Sequence, residues 1–362
     1  MSDPKTKYPK LFEGIGKYKG ATIKLHINES IRPVAERHRR TPFHLRNKVE
    51  RELNKPLEQE IIERIEDTPT PWVSPIVTPP KNNSDEIRLC VDMRNANTAI
   101  TREKHLLPTI DELIHDLSGS TVYSKLDLRF GYHQLELDPS SRYITTFSTH
   151  AGLFRYKRLN FGISSASEIF QEVIRNVISG ILDDIIIYGK SKVEHDRALG
   201  NTFKRLLENG LTLNLEKCEF NKDKVVFFGV TFSKEGISPD PKKVTALKDM
   251  SPPINVAEPR SLLGMTNYSS RFIQRYATIC EPLRRLTRQN TEWNCGTEQE
   301  AAFEKLKQEL SSETVMTYFN PKLDINIYVD ASPVGLGAIM SQESRTMAFA
   351  SRSLSDTETR YS

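Results

Sequence analysis

The stretch Ile181-Leu182-Asp183-Asp184-Ile185-Ile186-Ile187-Tyr188-Gly189 sets two adjacent carboxylates inside a run of Ile, Leu and Tyr. Such a run predicts a buried strand. Ionised carboxylates are hardly ever left in those surroundings unless they are paired or bind a cation. Neighbours on a strand point to opposite faces, so the pair has to sit at a turn or a strand end for both to reach one ion. Two readings fit: a divalent-metal site at the tip of a hairpin, or an Asp-Asp turn between two strands.

Upstream, Lys125-Leu126-Asp127-Leu128-Arg129-Phe130-Gly131-Tyr132 places a third Asp after a β-prone stretch, Thr121 to Leu126. Three carboxylates from two strands make a hard oxygen site suited to Mg²⁺. Two such ions activate an attacking hydroxyl and steady the leaving oxygen in phosphoryl transfer. The pattern reads as a polymerase palm.

A chain of 362 residues can build large cores in more than one domain. No apolar run approaches the ~20 residues of a membrane span, and the N-terminus lacks the apolar core of a secretory signal. Cys90, Cys218, Cys280 and Cys295 are far apart, which predicts reduced thiols without zinc. The net charge of +4 points only weakly to a polyanion. Arg37-His38-Arg39-Arg40 reads as a solvated basic face rather than a specific nucleic-acid site.

Leu45, Val49, Leu53, Leu57, Ile61 and Ile65 recur every four residues, which predicts amphipathic helix from Pro42 to Asp67. Trp72–Thr78 and Glu86–Asp92 read as two strands joined by a turn-rich loop. Lys81 and Arg88 flank its tip and could grip a triphosphate, or stand as two solvated hairpin cations. Thr109 and Glu112 form a capping box ahead of a stripe of Ile110, Leu113, Ile114 and Leu117. Tyr132, five residues past Asp127, either underlies an incoming sugar or packs in a core.

Residues Ile144–Phe147 and Phe154–Arg158 predict a hairpin, and Ser164–Ser179 a helix with Ile169, Phe170, Val173, Ile174 and Val177 inward. A further helix is expected over His195–Asn209, then short strands over Thr212–Glu216, Lys224–Phe232 and Gly236–Ser238. Asp240 and Pro241 open the next helix, and Pro252–Arg288 is helical and Arg-rich. Thr297 and Glu300 predict a second capping box before Phe303, Leu306 and Leu310. Ile325–Asp330 alternates as a strand, with Val334–Met340 as its partner.

These motifs, in this order, resemble the reverse transcriptase of gypsy-type long-terminal-repeat retrotransposons. The resemblance rests on Trp72-Val73-Ser74-Pro75-Ile76-Val77, Arg88-Leu89-Cys90-Val91-Asp92-Met93-Arg94, Leu126 to Gln134, Leu159-Asn160-Phe161-Gly162-Ile163 and Leu182-Asp183-Asp184. It implies an α+β, multi-domain chain with the right-hand polymerase fold: fingers, palm and a small helical thumb, followed by a truncated ribonuclease H-like α/β segment. The implied division is 1–70 for an N-terminal extension and first fingers helices, 71–239 for fingers and palm, 240–290 for the thumb-like segment, and 291–362 for a connection helix and the ribonuclease H-like part.

The resemblance further implies that Asp127, Asp183 and Asp184 hold two Mg²⁺ ions, for which Mn²⁺ can substitute. Lys81 and Arg88 match residues that bind the dNTP triphosphate, and Tyr132 the aromatic gate against a 2′-hydroxyl. Phe161 and Gly162 match the nucleotide pocket, and Phe228-Gly229 the primer grip. Asp330 resembles the first metal carboxylate of the ribonuclease H domain, whose remaining carboxylates do not follow in this sequence. A truncated stub without hydrolytic activity is therefore expected. The implied function is RNA-directed DNA polymerase, adding dNTPs to a primer on an RNA or DNA template, in an intracellular, cytoplasmic particle and without a membrane partner.

One departure stands at the anchor. Only Glu172 to Leu182 separate Gln171 from Asp183, shorter than the family pattern by a strand-and-turn segment. The expected consequence is impaired synthesis, and the alternative function is a catalytically impaired retroelement fragment that only binds primer-template.

Overall fold

The computed structural model of the chain describes residues 4–66, 68–81, 84–102, 109–178, 184–288, 291, 293–312, 314–355 and 357–360. A short helix α1 (Pro4–Lys7) and α2 (Arg46–Glu58) precede strands β1 (Ile62–Ile65), β2 (Ser74–Val77) and β3 (Cys90–Val91). Helices α3 (Arg94–Ala99) and α4 (Ile110–Asp116) lead into β4 (Val122–Asp127). Then come β5 (Phe147–Thr149), β6 (Gly152–Tyr156), α5 (Ala166–Ile178), β7 (Asp184–Gly189) and α6 (Lys192–Glu208). Strands β8 (Glu219–Lys222), β9 (Lys224–Phe227), β10 (Val230–Ser233) and β11 (Gly236–Pro239) follow. Helices α7 (Pro241–Lys248), α8 (Ala257–Asn267), α9 (Tyr276–Arg285) and α10 (Thr297–Ser311) precede β12 (Asn326–Ser332), β13 (Gly335–Gln342) and β14 (Arg345–Ser353).

The chain divides into two units. The first is built from Met1–Pro108, Ser124–Ile187 and Val193–Phe220, the second from Thr109–Tyr123, Tyr188–Lys192 and Asn221–Ser362.

In the first unit, the four-residue apolar repeat after Pro42 splits into two kinds of structure. Val49 and Leu53 do bury one face of α2. The helix ends at Glu58, behind Pro56, and Glu60 takes a left-handed φ of 52°. Ile61 and Ile65, expected to continue the helix, leave it: Ile62–Ile65 forms β1, paired antiparallel with β6 from Ile62↔Tyr156 to Ile65↔Leu153. Branched Ile side chains fit a pleated surface better than a frayed last turn. The sheet order is β1-β6-β5-β2-β3, with β2 parallel to β5 and the remaining pairs antiparallel. Ile144, expected in the β5 strand, lies instead in a 3₁₀ helix, Pro139–Thr145, capped by Asp138.

Helix α5 buries Ile169, Phe170, Val173, Ile174 and Val177, as its periodicity predicts. The first residues of the chain join the same core, with Leu11 and Leu25 buried. They are held by the Leu213 N–H on the Leu11 carbonyl (2.7 Å), the Gly16 N–H on Thr212 Oγ1 (2.9 Å) and the Tyr18 N–H on the Gln134 carbonyl (2.8 Å). Arg39, from the basic stretch, pairs with Asp92 at 2.8 Å beside Arg94 at 2.7 Å. The two guanidiniums hold the Asp92 carboxyl far below the usual carboxylate range.

The second unit contains two three-stranded meanders, β9-β10-β11 and β12-β13-β14. Its helices share a core of Leu247, Ile273, Cys280, Leu283, Phe303 and Leu306. Helix α4 opens with the expected capping box: Glu112 N–H on Thr109 Oγ1 at 3.3 Å and Thr109 N–H on Glu112 Oε2 at 2.8 Å. The second box differs from expectation. Thr297 is already helical, Gly296 is the N-cap, and Gln299 Oε1 accepts the Gly296 N–H at 3.1 Å, so Thr297 and Glu300 form no box. No helix among the described residues is long and apolar enough to cross a membrane.

Candidate active site

Strand β4 is the middle strand of a sheet ordered β7-β4-β8. Tyr123, Ser124 and Leu126 are fully buried, so the strand is anchored along its length and ends at half-buried Asp127. The Thr121 N–H, just before β4, donates to the carbonyl of Gly189, the last residue of β7, at 3.0 Å. Adjacent strands joined start to end run antiparallel. The other end of the ladder therefore brings Asp127 and the backbone of Asp184 together. Asp183 lies outside the described residues, so the expected carboxylate trio is represented by two positions.

Asp127 is fixed through its main chain. Its carbonyl accepts the Asn214 N–H at 2.8 Å, and its own N–H points at Cys218 Sγ, 3.4 Å away. The Lys217 ammonium lies 3.7 Å from Asp127 Oδ2. Lys217 and Cys218 escaped the sequence reading because they lie some 90 positions away, just past the strand expected over Thr212–Glu216, whose end is instead a 3₁₀ turn, Leu215–Lys217.

The chain leaves Asp127 through Phe130, left-handed at φ 50°, into a 3₁₀ turn over Gly131–Gln134. Buried Gln134 pins this turn. Its Nε2 donates to the carbonyls of Arg129 (2.8 Å) and Thr212 (2.9 Å), and its Oε1 accepts the Thr212 N–H (2.8 Å). Tyr132 is thereby presented between two rings, 4.7 Å from Phe161 and 5.2 Å from Phe170. Phe161 is 57% exposed and Phe130 58%, leaving two aromatic faces open to solvent beside half-buried Tyr132. His133 lies 5.7 Å from Phe161 and 6.1 Å from Tyr156. Burial, aided by the Arg158 charge, pulls its imidazole down to about 4.

Gly162 adopts φ +96°, and a Cβ there would come within 3.2 Å of Met93 Cγ. The loop is bracketed by Asn97, whose Nδ2 donates to the Gly162 carbonyl (2.7 Å) and whose Oδ1 accepts the Ser164 N–H (2.9 Å). Asn97, like Lys217 and Cys218, escaped the sequence reading.

Lys81 and Arg88 share the β2–β3 hairpin, where Pro80 bridges Ile87. The Lys81 ammonium is held 2.7 Å from Glu86 Oε2 and 3.9 Å from Glu52, and the Glu86 hydrogen bond raises its pKa. Arg88 is exposed. Phe228 and Gly229 belong to the second unit, at the β9–β10 turn. Asp330 lies there too, on β12, ion-paired to Arg275 at 2.6 Å. Among the described residues no group of three His, Cys, Asp or Glu is arranged to hold a metal ion.

Comparison with known proteins gives this geometry a family. Residues 79–232 match the reverse transcriptase (RNA-dependent DNA polymerase) family, and residues 295–362 the RNase H-like domain found in reverse transcriptase. The chain is 32% identical over 343 residues to the retrovirus-related Pol polyprotein from transposon 297 of Drosophila melanogaster, covering 91% of this chain and 31% of the relative. It is 31% identical over 319 residues to that from transposon gypsy of the same organism, covering 81% and 31%. The chain thus spans about a third of the length of these curated relatives. The structure of the foamy viral protease-reverse transcriptase dRH in complex with ds DNA shares the fold, with a TM-score of 0.87 at 19% identity, over 98% of this chain and 64% of that one. The chain thus carries a reverse transcriptase domain over residues 79–232 and an RNase H-like domain over residues 295–362, and is similar to part of gypsy-type retrotransposon Pol polyproteins.

Proposed function

We propose that this chain is an RNA-directed DNA polymerase that adds dNTPs to the 3′-hydroxyl of a primer on an RNA or DNA template. The observation that carries this reading is the approach of Asp127 to the backbone of Asp184 at one end of the β4–β7 ladder, with Tyr132, on the turn that follows Asp127, packed against Phe161. Foamy viral protease-reverse transcriptases in complex with dsDNA and with RNA/DNA hybrid share the fold, which supports a nucleic-acid partner.

The donor set fits a hard divalent cation: carboxylates supply oxygen ligands, and Asp127 already draws the Lys217 ammonium to 3.7 Å. Asp127, Asp183 and Asp184 would hold two Mg²⁺, or Mn²⁺ in their place. Bound there, the ions lower the cost of charge on attacking and leaving oxygens. The chain's own side chains do the positioning. Lys81 and Arg88 grip the triphosphate, one as a point charge and one as a fork. The Tyr132 ring, wedged against Phe161 and Phe170, underlies the sugar and leaves no room for a 2′-hydroxyl. Phe161 and Gly162 line the nucleotide pocket, and Phe228–Gly229 faces the primer. The corresponding division is fingers and palm over 71–239, a thumb-like segment over 240–290, and the RNase H-like part over 291–362.

A second reading, binding of primer-template without synthesis, draws support from the short link between α5, which ends at Ile178, and β7, which starts at Asp184. Strand β7 has β4 as its one neighbour among the described strands. Primer extension by the purified chain, with Mg²⁺ and with Mn²⁺, separates the two. Extension that Asp127→Asn abolishes upholds the polymerase; salt-dependent duplex binding without extension selects the binding module.

A further inference from the structure

The turn linking β9 to β10 holds two consecutive left-handed residues, Phe228 at φ 46° and Gly229 at φ 65°. Val230 faces Phe227 in the ladder, so these two residues alone form the tip. A two-residue hairpin loop with both φ positive matches the twist of its strands. It strains Phe228, which glycine or asparagine would occupy more easily, so other interactions must hold it.

Two side chains of the same unit do so. The Tyr268 hydroxyl, at the end of α8, donates to the Phe228 carbonyl. The Lys243 ammonium, on α7, lies 4.2 Å from the centroid of the Tyr268 ring. It also rests against the bare face of Gly229, where a Cβ would collide with it. Lys243 is only partly exposed, yet among the described residues no carboxylate lies within ion-pair distance of it. A ring face takes up little of an ammonium's charge. A cation held in one place, without an anion, beside backbone stripped of side chain, suits an anion that must come close to the main chain. A phosphodiester is such an anion.

We propose that Lys243 binds a phosphate of the primer strand at the β9–β10 tip, and that Tyr268 is a positioning residue that holds both the turn and the ammonium. The proposal rests on the reading of Phe228–Gly229 as primer-facing. It also accounts for glycine at position 229, since any side chain there would displace the ammonium.

The test is binding of a fluorescein-labelled DNA duplex with a recessed 3′ end to the full chain, by anisotropy across a KCl series. Removing one cation that neutralises a phosphate lowers the slope of log affinity against log salt by about 0.9. Lys243→Met should lower the slope by about that amount and weaken binding several-fold at moderate salt. Lys243→Arg should restore the slope. Tyr268→Phe should keep the slope, because the charge remains, while weakening binding. An unchanged slope in Lys243→Met, with thermal unfolding like the parent's, would overturn the proposal.

Uncharged methylphosphonates placed at the primer terminus separate this from the primer-grip reading. They should weaken the parent and leave Lys243→Met unaffected. A reduced slope in Lys243→Met that terminal methylphosphonates do not reproduce would uphold the ionic interaction and overturn its assignment to the primer end.

Discussion

The ring of Tyr132 lies 4.7 Å from that of Phe161 and meets Phe170 edge-on at 5.2 Å. The same side chain is thus a packing element and the proposed gate. Replacing it with Val should raise the ratio of ribonucleotide to deoxyribonucleotide incorporation, because the shorter side chain leaves room for a 2′-hydroxyl. It should also cost about 1–3 kcal/mol of stability, as expected for removing part of a packed ring. Single-nucleotide kcat/KM for the two sugars, with a melting curve, measures both. A lower melting temperature with an unchanged sugar ratio would leave Tyr132 a packing residue only.

Asp127→Asn should abolish primer extension while leaving duplex affinity equal or higher, since it removes a charge that repels phosphate. The fold uses the main chain of Asp127 more than its carboxylate: the Asn214 and Cys218 interactions survive the substitution. Extension at the parent's rate would remove Asp127 from the site.

Gln134→Leu should cost about 2–4 kcal/mol. It strands the Thr212 N–H and the Arg129 carbonyl, while the Thr212 carbonyl keeps the Arg129 N–H, at about 1–3 kcal/mol for each group left without a partner and with partial relaxation. Denaturant unfolding at neutral pH reads the effect. A change below about 1 kcal/mol would mean that the turn after Asp127 holds without its amide.

His133 makes stability depend on pH. Its folded pKa, about 4, lies below the ordinary histidine value, with burial as the main cause and Arg158 as the second. In the window between the two values the unfolded chain binds the extra proton. The contribution is therefore fully present above about pH 6.5 and is lost as pH falls towards 4. His133→Gln should flatten the fall in stability through this window. An equally steep fall in the variant would assign the dependence to other groups.

The chain should not cleave the RNA of an RNA–DNA hybrid, and Asp330→Asn should change nothing measurable except stability, by less than about 1 kcal/mol. Asp330 is engaged by Arg275 in a half-exposed pair, and such pairs contribute little. Mg²⁺-dependent hydrolysis that disappears in Asp330→Asn would overturn this.

Motifs with a local cause were legible in the sequence. Thr109 and Glu112 cap α4 because both partners lie within one turn. The α5 stripe from Ile169 to Val177 and the β12–β13 pairing follow from periodicity alone. Local rules misplaced Ile61 and Ile65, where a four-residue spacing continued past a proline that ends the helix. They moved the second capping box by one residue, since Gly296 carries no side-chain oxygen to announce itself. What surrounds Asp127 was hidden for another reason. Lys217, Cys218 and Gln134 reach it, or its turn, through interactions that only the folded chain creates.

The bond from the Gly16 N–H to Thr212 spans 196 positions, and Leu11 and Lys17 are tied across similar distances, to Leu213 and Gly210. On the ribosome, the opening segment therefore emerges long before its partners exist. The first unit cannot close until residues near 213 are synthesised, which predicts slow folding dominated by non-local pairing. Leu11, Phe12 and Leu25 would wait exposed until then, a window during translation that favours aggregation.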